Sequence, residues 1–334
     1  AVWSSQEGSL LLWLLLLSLW SSLILFLTRR RVREIAPYAT AVLLGFATFF
    51  AAVLVFLETP FGQASPAPGD GLGLNPLLRH PSMMIHPPML YSGYTLFAVP
   101  FAFAVGALVA RRLNADWIRS PRPFTLGAWF FLGIGIVLGA RWSYSELGWG
   151  GYWAWDPVEN ASLMPWLIGT AFIHSIMVQE KRGLLKVWNA SLICATFALA
   201  LMGTFLVRSG IIESVHAFAS DPERGKFILV FLGVCVGSAL LLYGWRAPLF
   251  RSNAGFAPIS RESMILLNNV LLVAATALIL LGTLYALFLD FHKLGKISVG
   301  PPFYAIAFLI PMLPLAMLLA PGMHASWKKA TFDR

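Results

Sequence analysis

Charge is scarce in this 334-residue chain: Asp, Glu, Lys and Arg make up 12% of it, against 58% hydrophobic residues. That balance excludes an ordinary soluble domain and points to a membrane protein. Cysteine is scarce as well. Cys194 and Cys235 both fall inside long apolar stretches, which leaves no zinc or disulfide motif and gives each thiol a small apolar role. There is no phosphate-binding glycine loop, no serine-nucleophile motif and no His-Glu-x-x-His helix. Hydrolase and nucleotide chemistry of the soluble type therefore find no support.

What the chain has is hydrophobic length. Runs sufficient to cross about 30 Å of hydrocarbon occur at 8–27, 37–57, 91–110, 125–141, 162–179, 187–207, 227–245, 263–289 and 303–320. The expected fold is all-α, a polytopic transmembrane bundle of about nine helices forming a single membrane domain over 1–334. The net charge of +9 is explained by topology and does not call for nucleic acid. Arg29, Arg30, Arg31 and Arg33 follow the first run, Arg111, Arg112, Arg119 and Arg122 the third, and Lys181, Arg182 and Lys186 the fifth. Arg246, Arg251 and Arg261 follow the seventh, and Lys328, Lys329 and Arg334 the ninth, so the positive-inside rule puts all these loops on the cytoplasmic face. The longer loops, 58–90, 142–161, 208–226 and 290–302, then face outward. The chain opens on Ala1, and residues 1–7 do not resemble a signal peptide, so it is expected to be a slice of a longer protein that extends beyond both ends.

Five of the thirteen tryptophans lie between Trp142 and Trp166, concentrated around Trp149-Gly150-Gly151-Tyr152-Trp153-Ala154-Trp155-Asp156-Pro157-Val158-Glu159-Asn160. Interfacial belts spread Trp over many helix ends, so this density in one outer loop predicts a flat aromatic platform for a planar ligand. Asp156, Pro157 and Glu159 have the order of an N-cap, a first-position proline and a capping-box glutamate, which argues against a general acid or base there.

Two histidines share the outer face with this loop. His86 precedes Pro87 and Pro88, which are expected to begin the third helix, so its imidazole is placed at the outer surface. His216 lies in the loop after the sixth run. A pair of neutral imidazoles can bind iron from opposite sides of a porphyrin, while a helix-start residue and an exposed loop histidine are the plainer readings. His174 lies within the fifth run, about 20 Å beyond Ala161 at the helical rise. At that depth an ionisable residue marks a functional site by default, and a histidine satisfied by a neighbouring helix is the alternative. His80 competes with His86, and His292 and His324 read as surface residues at helix ends.

From Trp149 to Trp166 the sequence resembles the WWD signature of the membrane haem-handling proteins of cytochrome c maturation. The continuation Asp156-Pro157-Val158-Glu159-Asn160-Ala161-Ser162-Leu163-Met164-Pro165-Trp166 is more similar to the CcmF haem lyase branch than to the CcsA or CcmC branches. Gln6-Glu7-Gly8-Ser9-Leu10-Leu11-Leu12-Trp13, His86-Pro87-Pro88-Met89-Leu90-Tyr91 and Leu294-Gly295-Lys296-Ile297-Ser298-Val299-Gly300-Pro301-Pro302 agree, so the resemblance covers essentially the whole chain.

The resemblance implies a bacterial inner-membrane protein with its haem site, the WWD segment 142–166, on the periplasmic face. It implies covalent attachment of haem to the Cys-x-x-Cys-His motif of apocytochrome c. His86 and His216 would ligate the substrate haem, and His174 would hold an intramembrane haem b whose second ligand lies outside this chain. Trp142, Trp149, Trp153 and Trp155 would support the macrocycle, with Asp156 at its edge. Arg141 and Arg208, at outer helix ends, suit propionates by charge and position, and topological charge is the other account of them. Implied partners are a haem carrier resembling CcmE, delivery proteins resembling CcmH, apocytochrome c and the lipid bilayer. Two rivals stay open: a haem transporter or exporter of the same superfamily, and a b-type cytochrome subunit.

Overall fold

The computed structural model describes residues 3, 5–57, 59–63, 65–67, 69–71, 73–148, 150–209, 214, 222–250, 255, 257–295, 297 and 299–328, with only the backbone described at 208, 222–224 and 290. Its helices are α1 (Gln6–Thr28), α2 (Ala36–Ala52), α3 (Ser82–Ala110), α4 (Asp116–Arg119), α5 (Arg122–Glu146), α6 (Pro157–Arg182), α7 (Lys186–Ser209), α8 (Pro222–Arg246), α9 (Arg261–Phe291) and α10 (Pro301–His324). A π-helical turn, Val53–Leu57, extends α2, and 3-10 turns occupy Pro76–Arg79 and Ala247–Phe250. Among the described residues nine helices are long and apolar enough to cross a membrane, so the expected all-α bundle is what forms.

α3 is the most buried span. It packs chiefly on α5, and also on α2, α1 and α7, while α7 links it to α6, α6 packs on α9, and α10 covers α9. Small residues on facing helices let backbones approach, the usual device where lipid offers no hydrophobic drive for association. A Cβ added to Gly93 of α3 would lie 2.5 Å from the Leu132 Cβ of α5, so these two helices are as close as side chains permit.

The start of α3 differs from expectation. Pro87 and Pro88 lie inside the helix, which begins at Ser82, so His86 is helical and half-buried and is not a surface residue ahead of the helix. The cause is local capping: the His80 ring accepts from Ser82 N at 3.2 Å and its carbonyl from Met83 N at 2.9 Å. The first turn is closed upstream of the prolines, whose missing N–H groups are then lost from the second turn. α5 likewise runs five residues past the expected end at Arg141, which makes Trp142 a helical residue.

The basic end of the bundle is clasped by a buried ion pair. Arg182 Nε, in the last turn of α6, donates to Glu262 Oε1 in the first turn of α9 at 3.0 Å, and Glu262 is fully buried. Both Glu262 oxygens also accept from Lys328 N at 3.1 Å, and Arg261 N donates to Ser326 O at 3.0 Å. One carboxylate thus serves three segments, a geometry in which removing either partner strands the other. Glu262→Ala is expected to destabilise the protein by about 3 kcal/mol, read as a lower denaturation midpoint in mixed detergent micelles. Breaking the exposed Arg112–Glu34 pair is expected to cost less than about 1 kcal/mol in the same measurement.

Candidate functional site

His86 sits in a notch made by two glycines one helical turn apart on α5. A Cβ on Gly139 would come within 2.7 Å of His86 Cε1, and one on Gly135 within 2.8 Å of Leu90 N, so only glycine leaves space for the imidazole and the α3 backbone. Within the notch His86 Nδ1 lies 2.7 Å from Gly135 O. A carbonyl only accepts, so Nδ1 carries the proton and the lone pair of the neutral ring is on Nε2. That is the tautomer a metal needs, and it is set by a helix backbone.

The tryptophan segment is held at the same end. Asp156 caps α6 with a complete capping box: its carboxylate accepts from Val158 N at 2.9 Å, and Glu159 Oε2 accepts from Asp156 N at 3.2 Å and Ala154 N at 3.0 Å. The expected cap is therefore present. Trp155 adopts a left-handed backbone with φ 58°, rare for a residue with a large side chain, and Asn160 Nδ2 donates to its carbonyl at 3.3 Å. Tyr152 stacks on Tyr144 of α5 at 4.4 Å.

The rings do not form one flat plate. Trp153 and Trp155 meet edge to face at 90°, because Trp155 is drawn onto Tyr304 and Phe308 of α10. Trp142 is buried, with its indole N–H donating to Leu77 O at 2.8 Å, so it anchors the 76–79 turn. The platform read from the sequence is thus, for the described rings, a corner of two half-buried indoles, and Trp149 lies outside the described residues.

His216 also lies outside the described residues, but its chain neighbour Ser214 does not. Ser214 Oγ donates to Asp156 Oδ1 at 2.8 Å, the oxygen that also caps α6. The structure therefore ties Ser214 to the tryptophan segment by one carboxylate. Arg141 is exposed near the end of α5, and the side chain of Arg208 is not described.

A cavity of about 380 Å³ opens beside these residues, lined by Gln6, Glu7 and Trp13 of α1, His86, Tyr91 and Tyr94 of α3, Trp142 of α5 and Thr204 of α7. Nothing in the periodicity of α1 singles out its polar first turn as a cavity wall, and the sequence reading missed it. The glycine notch was missed for a similar reason, since its meaning depends on which helix faces α5.

His174 is elsewhere. It lies near the basic end, where its Nδ1 is 2.9 Å from Asn268 Oδ1 of α9. His292 packs on Phe288 and Phe291 past the end of α9, and His324 is exposed at the end of α10.

A family model described as "Cytochrome C assembly protein" matches residues 3–212. The chain belongs to the cytochrome c assembly protein family. This membership and the nine apolar spans make it a multi-pass membrane protein. It is similar to the cytochrome c-type biogenesis protein CcmF of Pseudomonas aeruginosa, 54% identical over 98% of this chain and 50% of the relative. The Escherichia coli CcmF is 48% identical over 98% of this chain and 51% of the relative. A solved structure of "Cytochrome c Heme Lyase CcmF" superposes with a TM-score of 0.78 at 33% identity, covering 99% of this chain and 48% of that one. The resemblance to the CcmF branch read from the motifs is borne out. The chain spans about half the length of the curated relatives it matches.

Gly139 supplies a test of the notch in the complete protein. Gly139→Ala is expected to displace the His86 ring and lower the denaturation midpoint in detergent micelles. Gly127→Ala on the same helix, where the new Cβ meets only Leu96 Cδ1 at 3.6 Å, is expected to leave that midpoint unchanged.

Proposed function

We propose that this chain forms the haem-handling membrane part of a cytochrome c haem lyase of the bacterial inner membrane, with its site on the periplasmic face. One arrangement carries the reading: an imidazole of fixed tautomer at a cavity wall, on the same end of the bundle as the tryptophan segment and the Ser214–Asp156 link. The donor chemistry fits haem iron. Where Nδ1–H is engaged by an oxygen, Nε2 is the ligating nitrogen, and both His86 and His174 meet that condition.

In this account His86 and His216 orient the iron of the substrate haem, with Trp142, Trp149, Trp153 and Trp155 lining the macrocycle. Arg141 and Arg208 pair with the propionates. Asp156 tethers Ser214, two residues before His216 in the chain, to the tryptophan segment. Each thiol of the apocytochrome Cys-x-x-Cys-His motif adds its S–H across a vinyl group, forming one C–S and one C–H bond with no net transfer of electrons. Holding the vinyls and thiols together makes the addition effectively intramolecular, a contribution that needs no acid or base. A carrier resembling CcmE brings the haem, and proteins resembling CcmH present the apocytochrome.

His174 would hold the iron of a resident haem b through Nε2. When bound, that group supplies the electrons that keep substrate iron ferrous.

With the complete protein co-expressed with a reporter c-type cytochrome, His86→Ala and His216→Ala are each expected to reduce covalent haem staining to background while membrane insertion is kept. Normal staining from both inserted variants overturns the proposal.

A further inference from the structure

α9 carries two adjacent amides, Asn268 and Asn269, seven and eight residues into a span otherwise dominated by Leu, Val, Ala and Ile. Polar side chains at such a depth are costly unless they bond to a neighbouring helix. Asn269 is fully buried. With its amide oriented to satisfy both ends, it donates to Ala171 O of α6 at 3.0 Å and Ile265 O at 3.3 Å, and accepts from Trp188 Nε1 of α7 at 3.2 Å. Asn269 alone thus joins α6, α7 and α9 and fixes the rotation of α9 against α6.

Asn268 contributes to none of those bonds. Its Oδ1 is 2.9 Å from Nδ1 of His174, three residues beyond Ala171 on α6. The basic ends of α6 and α9 are pinned together by Arg182 and Glu262, eight residues after His174 and six before Asn268, so the two side chains are held at matching depth. We infer that Asn268 is a positioning residue for His174: its amide oxygen holds the Nδ1 proton, so that Nε2 presents its lone pair to an iron. This rests on the reading of His174 as a ligand of haem b. The amide is the intramembrane counterpart of the Gly135 carbonyl at His86, and its dipole raises the electron-donating power of the ring.

The test uses the complete protein purified with its bound haem, comparing Asn268→Leu, Asn268→Asp and His174→Ala by pyridine haemochrome content and redox titration. Asp keeps an acceptor and cannot donate, so Asn268→Asp is expected to retain the b-type signal with a midpoint potential shifted downward, because the stronger acceptor favours ferric iron. Leu removes the acceptor. Asn268→Leu is expected to hold haem about 10- to 100-fold more weakly, the usual effect of removing a partner of a ligating histidine, and any haem it retains is expected at a raised potential.

Wild-type haem content and potential in Asn268→Leu overturn the inference, as does haem loss in Asn268→Asp, which would mean that the amide nitrogen was the donor. Should Asn268→Leu fail to accumulate, the potential of Asn268→Asp decides, and an unshifted value overturns the inference. His174→Ala separates the two readings. A full b-type signal in that variant removes His174 as a ligand, whereas its loss alongside unaltered Asn268 variants leaves the ligand assignment and removes only the role of Asn268.

Discussion

The close approach of α3 and α5 is the constraint on which the outer end of the bundle depends. Gly93, Gly135 and Gly139 let two backbones run within side-chain reach of each other, and a helical carbonyl thereby becomes the partner of an imidazole on the other helix. A side chain in a loop would lose considerable conformational freedom on being fixed in this way. Here the cost is met by packing that already exists, since α3 is the most buried span. The cavity beside His86 lies where residues of α1, α3, α5 and α7 converge.

His86 and His174 illustrate one solution reached with different materials. At His86 the acceptor is a backbone carbonyl, available because the facing positions are glycine. At His174 the acceptor is instead a side-chain amide of α9. In both the acceptor comes from a helix distant in sequence, so the orientation of each ring depends on tertiary structure.

Much of the fold was legible. Apolar run length located the spans, because a bilayer imposes nearly the same length on every crossing, and the cap at Asp156 could be read from residue order, because capping is local. The misplaced start of α3 shows the limit of such reasoning: Pro87 and Pro88 suggest a helix start, but the ring and carbonyl of His80 close the turn first. Of the site, residue types were readable and their relations were not. Gly135, Gly139 and Asn268 are unremarkable in sequence, and their importance comes from which atom lies across the interface. The expected flat plate failed for a related reason, since Trp155 gains more by stacking on Tyr304 than by lying coplanar with Trp153.

Trp155 also sets two parts of the folding energy against each other. Its left-handed backbone is a conformation that costs an L-residue on the order of 1–2 kcal/mol and that glycine adopts freely. Glycine at this position would remove that cost and with it the ring's packing on Tyr304 and Phe308. The turn that leads into α6 is thus kept in its strained shape by a helix near the far end of the chain.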